Sequence, residues 1–222
     1  MNIWEKTFIK KEWGKYPPED LIRTVCNFKN NKNLESKLSI LEMGSGPGAN
    51  AIFLCNQFDS YAAIDISQTA INKLKLRLKE HSVKAKLDLH VACFSNLPWK
   101  GSVFDFVCDN LAITHNTKKL INETLEEVSR VIKPGGIFFS KVWGTSTFGL
   151  DSRFKIESGT YCDLTKGPCA NLGTAHFFDL DEIIQIYGSK LKILSIEKVL
   201  REKLLDNNDN KIEQFIIIST KN

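Results

Sequence analysis

The 222-residue chain is short of several things, and each shortage narrows what it can be. No window approaches the ~18 apolar residues needed to span a bilayer; the longest apolar run, Phe215 to Ile218, is strand-sized. The opening stretch, Met1 to Lys15, mixes charges with tryptophans and has no apolar core of a secretory signal, so a soluble, cytoplasmic chain without membrane attachment is expected. None of the six cysteines, Cys26, Cys55, Cys93, Cys108, Cys162 and Cys169, forms a C-x-x-C pair, and four lie in apolar segments, the pattern of reduced, buried thiols. Without close pairing, the regular spacing of Cys162, Cys169 and His176 does not describe a zinc site, and no metal is expected. Charge of one sign is also scarce. Thirty Lys and Arg against 26 Asp and Glu leave +4, too little and too scattered for a nucleic-acid footprint. With 42% hydrophobic and 25% charged residues, the composition is in the ordinary globular range, and the length leaves one domain, or one domain with a large insertion.

From Ser39 onward, short apolar runs alternate with segments of helical period, which implies parallel strands joined by crossover helices. Strands are expected at Ser39 to Met43, Tyr61 to Ile66, Leu87 to Ala92, Phe104 to Asp109 and Ile137 to Val142. Helices are expected over Ala49 to Phe58, over Thr69 to His81 with Ser67 as its cap, and over Lys118 to Ile132, ended by Lys133-Pro134-Gly135-Gly136. The rhythm stops at Trp143 and resumes at Phe178. An irregular stretch of that length inside a domain usually forms a lid or substrate wall. A helix over Asp179 to Tyr187 then precedes two strands, Lys190 to Val199 and Glu213 to Thr220, joined by the polar turn Asp206 to Asn210. The expected fold is a doubly wound, Rossmann-like α/β sheet of seven strands with the last antiparallel. Residues 1–38 form a helical cap, and residues 39–222 form the domain, with 143–178 as insertion.

The segment with most chemistry is Leu41-Glu42-Met43-Gly44-Ser45-Gly46-Pro47-Gly48, an acidic strand end followed by glycines at alternate positions. Such glycines allow φ > 0 and let backbone N–H groups approach a ligand. Asp65, at the end of the second strand, stands where a carboxylate accepts from ribose hydroxyls. The glycines do not follow the dinucleotide pattern G-x-G-x-x-G, and a carboxylate at Glu42 would repel a pyrophosphate while suiting an ammonium. S-adenosylmethionine combines a ribose with an α-ammonium.

On these residues the chain resembles the class I S-adenosylmethionine-dependent methyltransferases, whose first motif E/D-x-G-x-G-x-G is matched by Glu42 to Gly48. The resemblance continues through Ala63 to Ser67, Ser95 to Trp99, Phe104 to Val107 and Val131-Ile132-Lys133-Pro134-Gly135-Gly136. It implies S-adenosylmethionine as cofactor, with Glu42, Gly44, Ser45, Gly46 and Gly48 at its methionine and ribose end. It further implies Asp65 on the ribose, Ile66 on the adenine face, and Asn110 among the cofactor contacts. Where the family usually has an aspartate for the adenine amino group this chain has Cys93, a weak acceptor, so the contact falls to Cys93 and the backbone around Phe94. Trp13 to Glu19 is similar to an aromatic segment that folds over the cofactor in a subset of these enzymes, which brings Tyr16 to the site.

Methyl transfer from a sulfonium is an in-line displacement, so the protein's tasks are positioning and removing the acceptor's proton. In the loop after the fourth strand, Asp109 to Asn116, His115 is the candidate base; the competing reading is a histidine that only lines the pocket or bonds locally. Asn110 is not followed by the Pro-Pro-aromatic sequence of amino-methylating nucleic-acid enzymes, so no nucleic-acid acceptor is expected. Trp143 (pocket wall or packing), Tyr161, Asp163 and His176 are the candidate contacts to a small-molecule acceptor. Gly173 to Phe178 is similar to a stretch in small-molecule and sugar methyltransferases, which implies a small polar acceptor, a sugar or its precursor among them; the expected target atom is an oxygen. The alternative is a non-catalytic cofactor-binding subunit, suggested by Cys93. Nothing in the sequence addresses the oligomeric state.

Overall fold

The computed structural model describes residues 1–31, 37–205 and 210–221. In chain order the elements are α1 (Ile3–Lys10), α2 (Glu19–Asn30), β1 (Ser39–Met43), α3 (Ala51–Gln57), β2 (Ser60–Asp65), α4 (Gln68–Glu80), β3 (Lys86–Val91), β4 (Phe104–Asn110), α5 (Lys118–Val131) and β5 (Ile132–Trp143). There follow β6 (Lys155–Glu157), β7 (Thr160–Cys162), β8 (Thr174–His176), α6 (Leu180–Gly188), β9 (Lys192–Arg201) and β10 (Ile212–Thr220). Most of the expected turn at Asp206 to Asn210 lies outside the described residues.

Seven strands form one sheet in the order β3-β2-β1-β4-β5-β10-β9. β1 is parallel to β2 and β4, and β4 to β5, whereas β10 runs antiparallel to both β5 and β9. The order reverses at β1, between β2 and β4, and the crevice beyond the strand ends at such a point is where open α/β sheets bind ligands. The register sets Glu42 beside Ala63 and Cys108, and Met43 beside Asp109.

The alternation of each strand fills two apolar layers. Leu41, Ile64, Val107 and Phe138 pack with Leu125 and Val128 of α5 and Ile183 and Tyr187 of α6. Ile40, Tyr61, Ala63 and Phe106 pack on the other face with Leu54 of α3 and Ile71, Leu74 and Leu78 of α4. Ser67 caps α4, its side chain accepting from the Ala70 N–H, and Thr117 caps α5 in the same way through Leu120.

Several expectations need correction. Leu21, Val25 and Phe28 place α2 in the second layer, and the buried Lys141 of β5 reaches Asp20 at 2.6 Å, so α2 is part of the core and only α1 lies across the sheet end. Burial of each such side chain contributes about 1.5–3 kcal/mol. β5 begins at Ile132, through Pro134 and Gly135, because the ladder to β4 shifts register between Phe104 and Phe106, an irregularity that admits a residue without an N–H donor. The stretch from Trp143 to Phe178 is not irregular: β6, β7 and β8 form a small antiparallel sheet over a separate cluster of Trp143, Leu164, Cys169, Ala175 and Phe177. Of the cysteines, all free, Cys55, Cys108 and Cys169 are buried, while Cys26 and Cys93 are exposed. Among the described residues no helix is long and apolar enough to cross a membrane.

Candidate active site

The turn after β1 is tied to β2 by its backbone. The Gly44 N–H donates to the Ile64 carbonyl at 2.8 Å, and the Gly46 N–H donates to Asp65 Oδ2 at 2.9 Å. Gly44 has φ +62°, and a Cβ there would collide with the Ala112 Cβ of the loop after β4, so the position needs both glycine's conformational freedom and its lack of a side chain. Asp65 also accepts from the Ser67 N–H at 2.9 Å, and burial pushes its carboxyl up from its ordinary value against those two bonds. A carboxylate offers about four acceptor positions, so capacity remains for a ribose.

Above this turn lies a cavity of about 310 Å³ bordered by Gly44, Ser45, Gly46, Asn50, Asp65 and Ile66. Cys93 and Phe94 stand at one wall, and Asn110, Leu111, Ala112, His115 and Asn116 at another. Trp143, Pro168 and Leu172 complete it from the end of β5 and the insertion.

The roof is α1. Glu5 accepts from the hydroxyls of Ser67 and Thr69 and from the Thr69 N–H, Lys73 Nζ donates to the Phe8 carbonyl at 2.6 Å, and Asn2 caps the helix itself. These hydroxyl bonds hold the Glu5 carboxyl below its ordinary value. Trp4, Phe8 and Trp13 border the cavity and touch one another edge-on or stacked. Tyr16 does not reach it: the side chain is 85% exposed and borders a separate surface groove. The sequence signal for the roof is Trp4 and Phe8, one helical turn apart, which the reading of Trp13 to Glu19 passed over.

Glu42 and Gly48 also stand back from the cavity. Glu42 is buried beneath the turn, where Asn50 Nδ2 donates to Oε1 at 2.8 Å and the Tyr61 hydroxyl donates to Oε2. Burial drives its carboxyl up to about 7, opposed by those two bonds. Gly48 faces Leu74, where a Cβ would press on α4.

His115 ends a 3-10 turn, Ile113–His115, that Asp109 organises. Asp109 Oδ1 accepts from the N–H groups of Ala112 and Ile113, each at 2.9 Å, and Oδ2 accepts from the Ser140 hydroxyl at 2.9 Å. Burial raises the Asp109 carboxyl to about 6. The Thr114 hydroxyl donates to the His176 carbonyl, and His115 Nδ1 lies 3.1 Å from the Thr174 carbonyl. A carbonyl only accepts, so Nδ1 carries the proton and Nε2 of the neutral ring is left with its lone pair. The ring sits 4.7 Å from Trp4, edge-on, and desolvation lowers its pKa to about 4.

The insertion divides its candidates. Trp143 borders the cavity, and its indole N–H is buried without a hydrogen-bond partner among the described residues. His176, Tyr161 and Asp163 lie outside the lining. His176 is fully buried between the Thr160 hydroxyl (2.7 Å) and Glu182 (3.0 Å), Tyr161 packs edge-on to Phe177, and Asp163 is an exposed turn residue with φ +57°. In β8 the backbone serves the site, since Thr174 and His176 lend carbonyls to the histidine turn.

The arrangement fits a nucleoside with a cationic tail. Gly44 leaves a side-chain-free floor, Asp65 is a carboxylate with spare acceptor positions, and Asn50 Oδ1 is a buried acceptor with no partner among the described residues. No lysine or arginine borders the cavity among the described residues.

Comparison with known proteins agrees with this geometry. Residues 40–136 match the family described as methyltransferase domain. The chain is 29% identical over 100 residues to sarcosine/dimethylglycine N-methyltransferase of Halorhodospira halochloris, covering 45% of this chain and 35% of that protein. It is 25% identical over 142 residues to demethylmenaquinone methyltransferase of Leptospira interrogans, covering 63% and 53%. It thus spans about a third to a half of the length of these curated relatives. A solved structure of an S-adenosylmethionine-dependent methyltransferase from Methanosarcina mazei shares the fold with TM-score 0.71 and 23% identity, covering 94% of this chain and 99% of the other.

Proposed function

We propose that the chain, whose residues 40–136 match the methyltransferase-domain family, is a class I S-adenosylmethionine-dependent methyltransferase that methylates a small, uncharged acceptor at a hydroxyl oxygen held beside His115. The observation that carries the reading is the hydrogen bond from His115 Nδ1–H to the Thr174 carbonyl, which leaves Nε2 as a proton acceptor on a residue bordering the cavity.

When bound, S-adenosylmethionine supplies an electrophilic methyl on a sulfonium. Asp65 would hold its ribose, the backbone of Gly44 to Gly46 its sugar and methionine end, and Ile66 and Phe94 its adenine. His115 Nε2 accepts the hydroxyl proton as the oxygen attacks. General-base help of this kind contributes about 10²- to 10⁴-fold in rate. Trp4, Phe8 and Trp13 exclude water above the reaction, and Asp109 keeps the histidine turn in place.

On the acceptor side the boundaries are Leu111, Trp143, Pro168 and Leu172, with Asn110, Asn116 and His115 as the polar groups. Such a wall favours an apolar body bearing one or two oxygens over a sugar, whose many hydroxyls would each need a partner. An acceptor such as sarcosine, named for one relative, carries a carboxylate that would call for a cation, and the described lining offers none. The Trp143 indole N–H can donate to a second oxygen on the acceptor. The six unpaired cysteines suit a reducing compartment such as the cytoplasm.

The test is a calorimetric titration with S-adenosylhomocysteine on wild type and Asp65→Ala, followed by assay of hydroxylated aromatic and alicyclic acceptors against sugars and amino acids. Tight binding lost in Asp65→Ala, with turnover confined to the hydroxylated ring compounds, is expected. No binding by wild type, or turnover of amino acids alone, overturns the proposal.

A further inference from the structure

Glu42, the acidic residue of the glycine motif, does not border the cavity, whereas Asn50 does, with its side chain 4% exposed. Both Glu42 oxygens are taken: Oε1 accepts from Asn50 Nδ2 at 2.8 Å and Oε2 from the Tyr61 hydroxyl. The first bond fixes the amide's orientation, because a carboxylate oxygen can only meet the NH₂ side of an asparagine. Asn50 Oδ1 is thereby turned away from Glu42, and it has no donor among the described residues. Although Asn50 is the residue before α3, its side chain makes no capping bond, so helix capping does not explain it. A buried carbonyl without a donor is costly, and the cost disappears when a donor arrives.

Resting on the methyltransferase reading above, we infer that Asn50 Oδ1 accepts a hydrogen bond from the α-ammonium of S-adenosylmethionine, and that Glu42 is a positioning residue acting through the Asn50 amide. A cation beside Asn50 favours the ionised form of Glu42, whose charge behind the amide then adds to the dipole that Oδ1 presents, and Asp65 is a second carboxyl on the cavity. No side chain of opposite sign borders the cavity among the described residues to cancel this. The acidic residue of the motif thus influences an ammonium it does not touch.

The experiment compares two ligands that differ in the amino-acid head. S-adenosylhomocysteine carries the ammonium; 5′-methylthioadenosine keeps adenine, ribose and sulfur but lacks it. Asn50→Leu is expected to weaken S-adenosylhomocysteine about tenfold or more by calorimetry, the usual loss for a hydrogen bond to a charged group, and to leave 5′-methylthioadenosine within about twofold. Glu42→Gln, which keeps the shape but removes the charge, is expected to weaken S-adenosylhomocysteine selectively by a smaller factor, and it carries the same comparison should Asn50→Leu not fold. Equal loss for both ligands would assign Asn50 a purely structural role and overturn the inference, as would no loss for either. If wild type binds neither ligand, the proposed function fails with it; if wild type binds both and the variants do not discriminate, the inference alone fails.

Discussion

The protonation state of His115, the proposed base, is set by where its turn is anchored. Desolvation lowers its pKa to about 4, so the ring is neutral throughout the physiological range and its Nδ1 proton stays on the Thr174 carbonyl. The lowered pKa costs driving force for taking the proton but keeps the lone pair available at every working pH. At saturating cofactor and acceptor, kcat should therefore show no inflection near pH 6.5, the ordinary histidine value. His115→Gln should lower kcat about 10²-fold or more with little change in S-adenosylhomocysteine binding; an unchanged kcat would leave the histidine as a wall of the pocket. Gly44→Ala tests the floor of the site. A methyl there meets the Ala112 Cβ and is held at positive φ, so a loss of about 1–3 kcal/mol in stability and a larger loss of S-adenosylhomocysteine affinity are expected in denaturation and titration experiments.

At the scale of elements, two segments of unlike origin complete the cavity. α1 is only Ile3–Lys10, too short to be stable alone, and it is held by what Glu5 and Lys73 contact on and around α4. Glu5→Ala removes the acceptor for the hydroxyls of Ser67 and Thr69. Amide exchange across Ile3–Lys10 should accelerate while β1 and β4 stay protected, and cofactor affinity should fall as the tryptophan roof is released. Exchange unchanged from wild type would mean that Trp4 and Phe8 alone dock the helix. Beyond lining the cavity with Trp143, Pro168 and Leu172, the insertion acts through the backbone of β8. β8 presents the carbonyls of Thr174 and His176 to the histidine turn, and the buried His176 side chain, between Thr160 and Glu182, holds that strand in register.

Across the whole molecule, stability should depend on pH through the carboxyls buried under the strand ends. Glu42 is raised to about 7 and Asp109 to about 6 by burial, each above its unfolded value. A carboxyl raised on folding contributes stability that is complete below its unfolded pKa and lost as pH rises through the folded one. His115, lowered to about 4, acts the other way: its contribution is present above its unfolded pKa and lost as pH falls toward about 4. Two groups outweigh one, so the denaturation midpoint should fall as pH rises from about 5 to 7. Glu42→Gln should flatten that slope; parallel curves for wild type and variant would show that the carboxyl is not the group titrating.

How much could be read beforehand depended on whether a signal was local. Strand alternation, the Gly44-Ser45-Gly46 turn and the carboxylate at Asp65 are properties of a few consecutive residues, and they determined the doubly wound sheet and the position of the crevice. The antiparallel final strand was legible for the same reason, since β9 and β10 are adjacent in sequence. Which side chain occupies the crevice was decided only by the tertiary structure. Glu42 lies in the motif, yet strand pairing turns it toward Tyr61 and Asn50 and away from the cavity. Tyr16 is aromatic and near, but the chain leaves the cleft after Trp13, and the roof falls to Trp4 and Phe8 through contacts with α4 that span some sixty residues of sequence. Tyr161, Asp163 and His176 have the chemistry of ligands, but Tyr161 packs on the cluster under β6 to β8, His176 is held between Thr160 and Glu182, and Asp163 is exposed outside the cavity lining, so β8 meets the histidine turn through its carbonyls. Periodicity is written in neighbouring residues; orientation toward a shared cavity depends on partners distant in sequence, and folding alone brings those together.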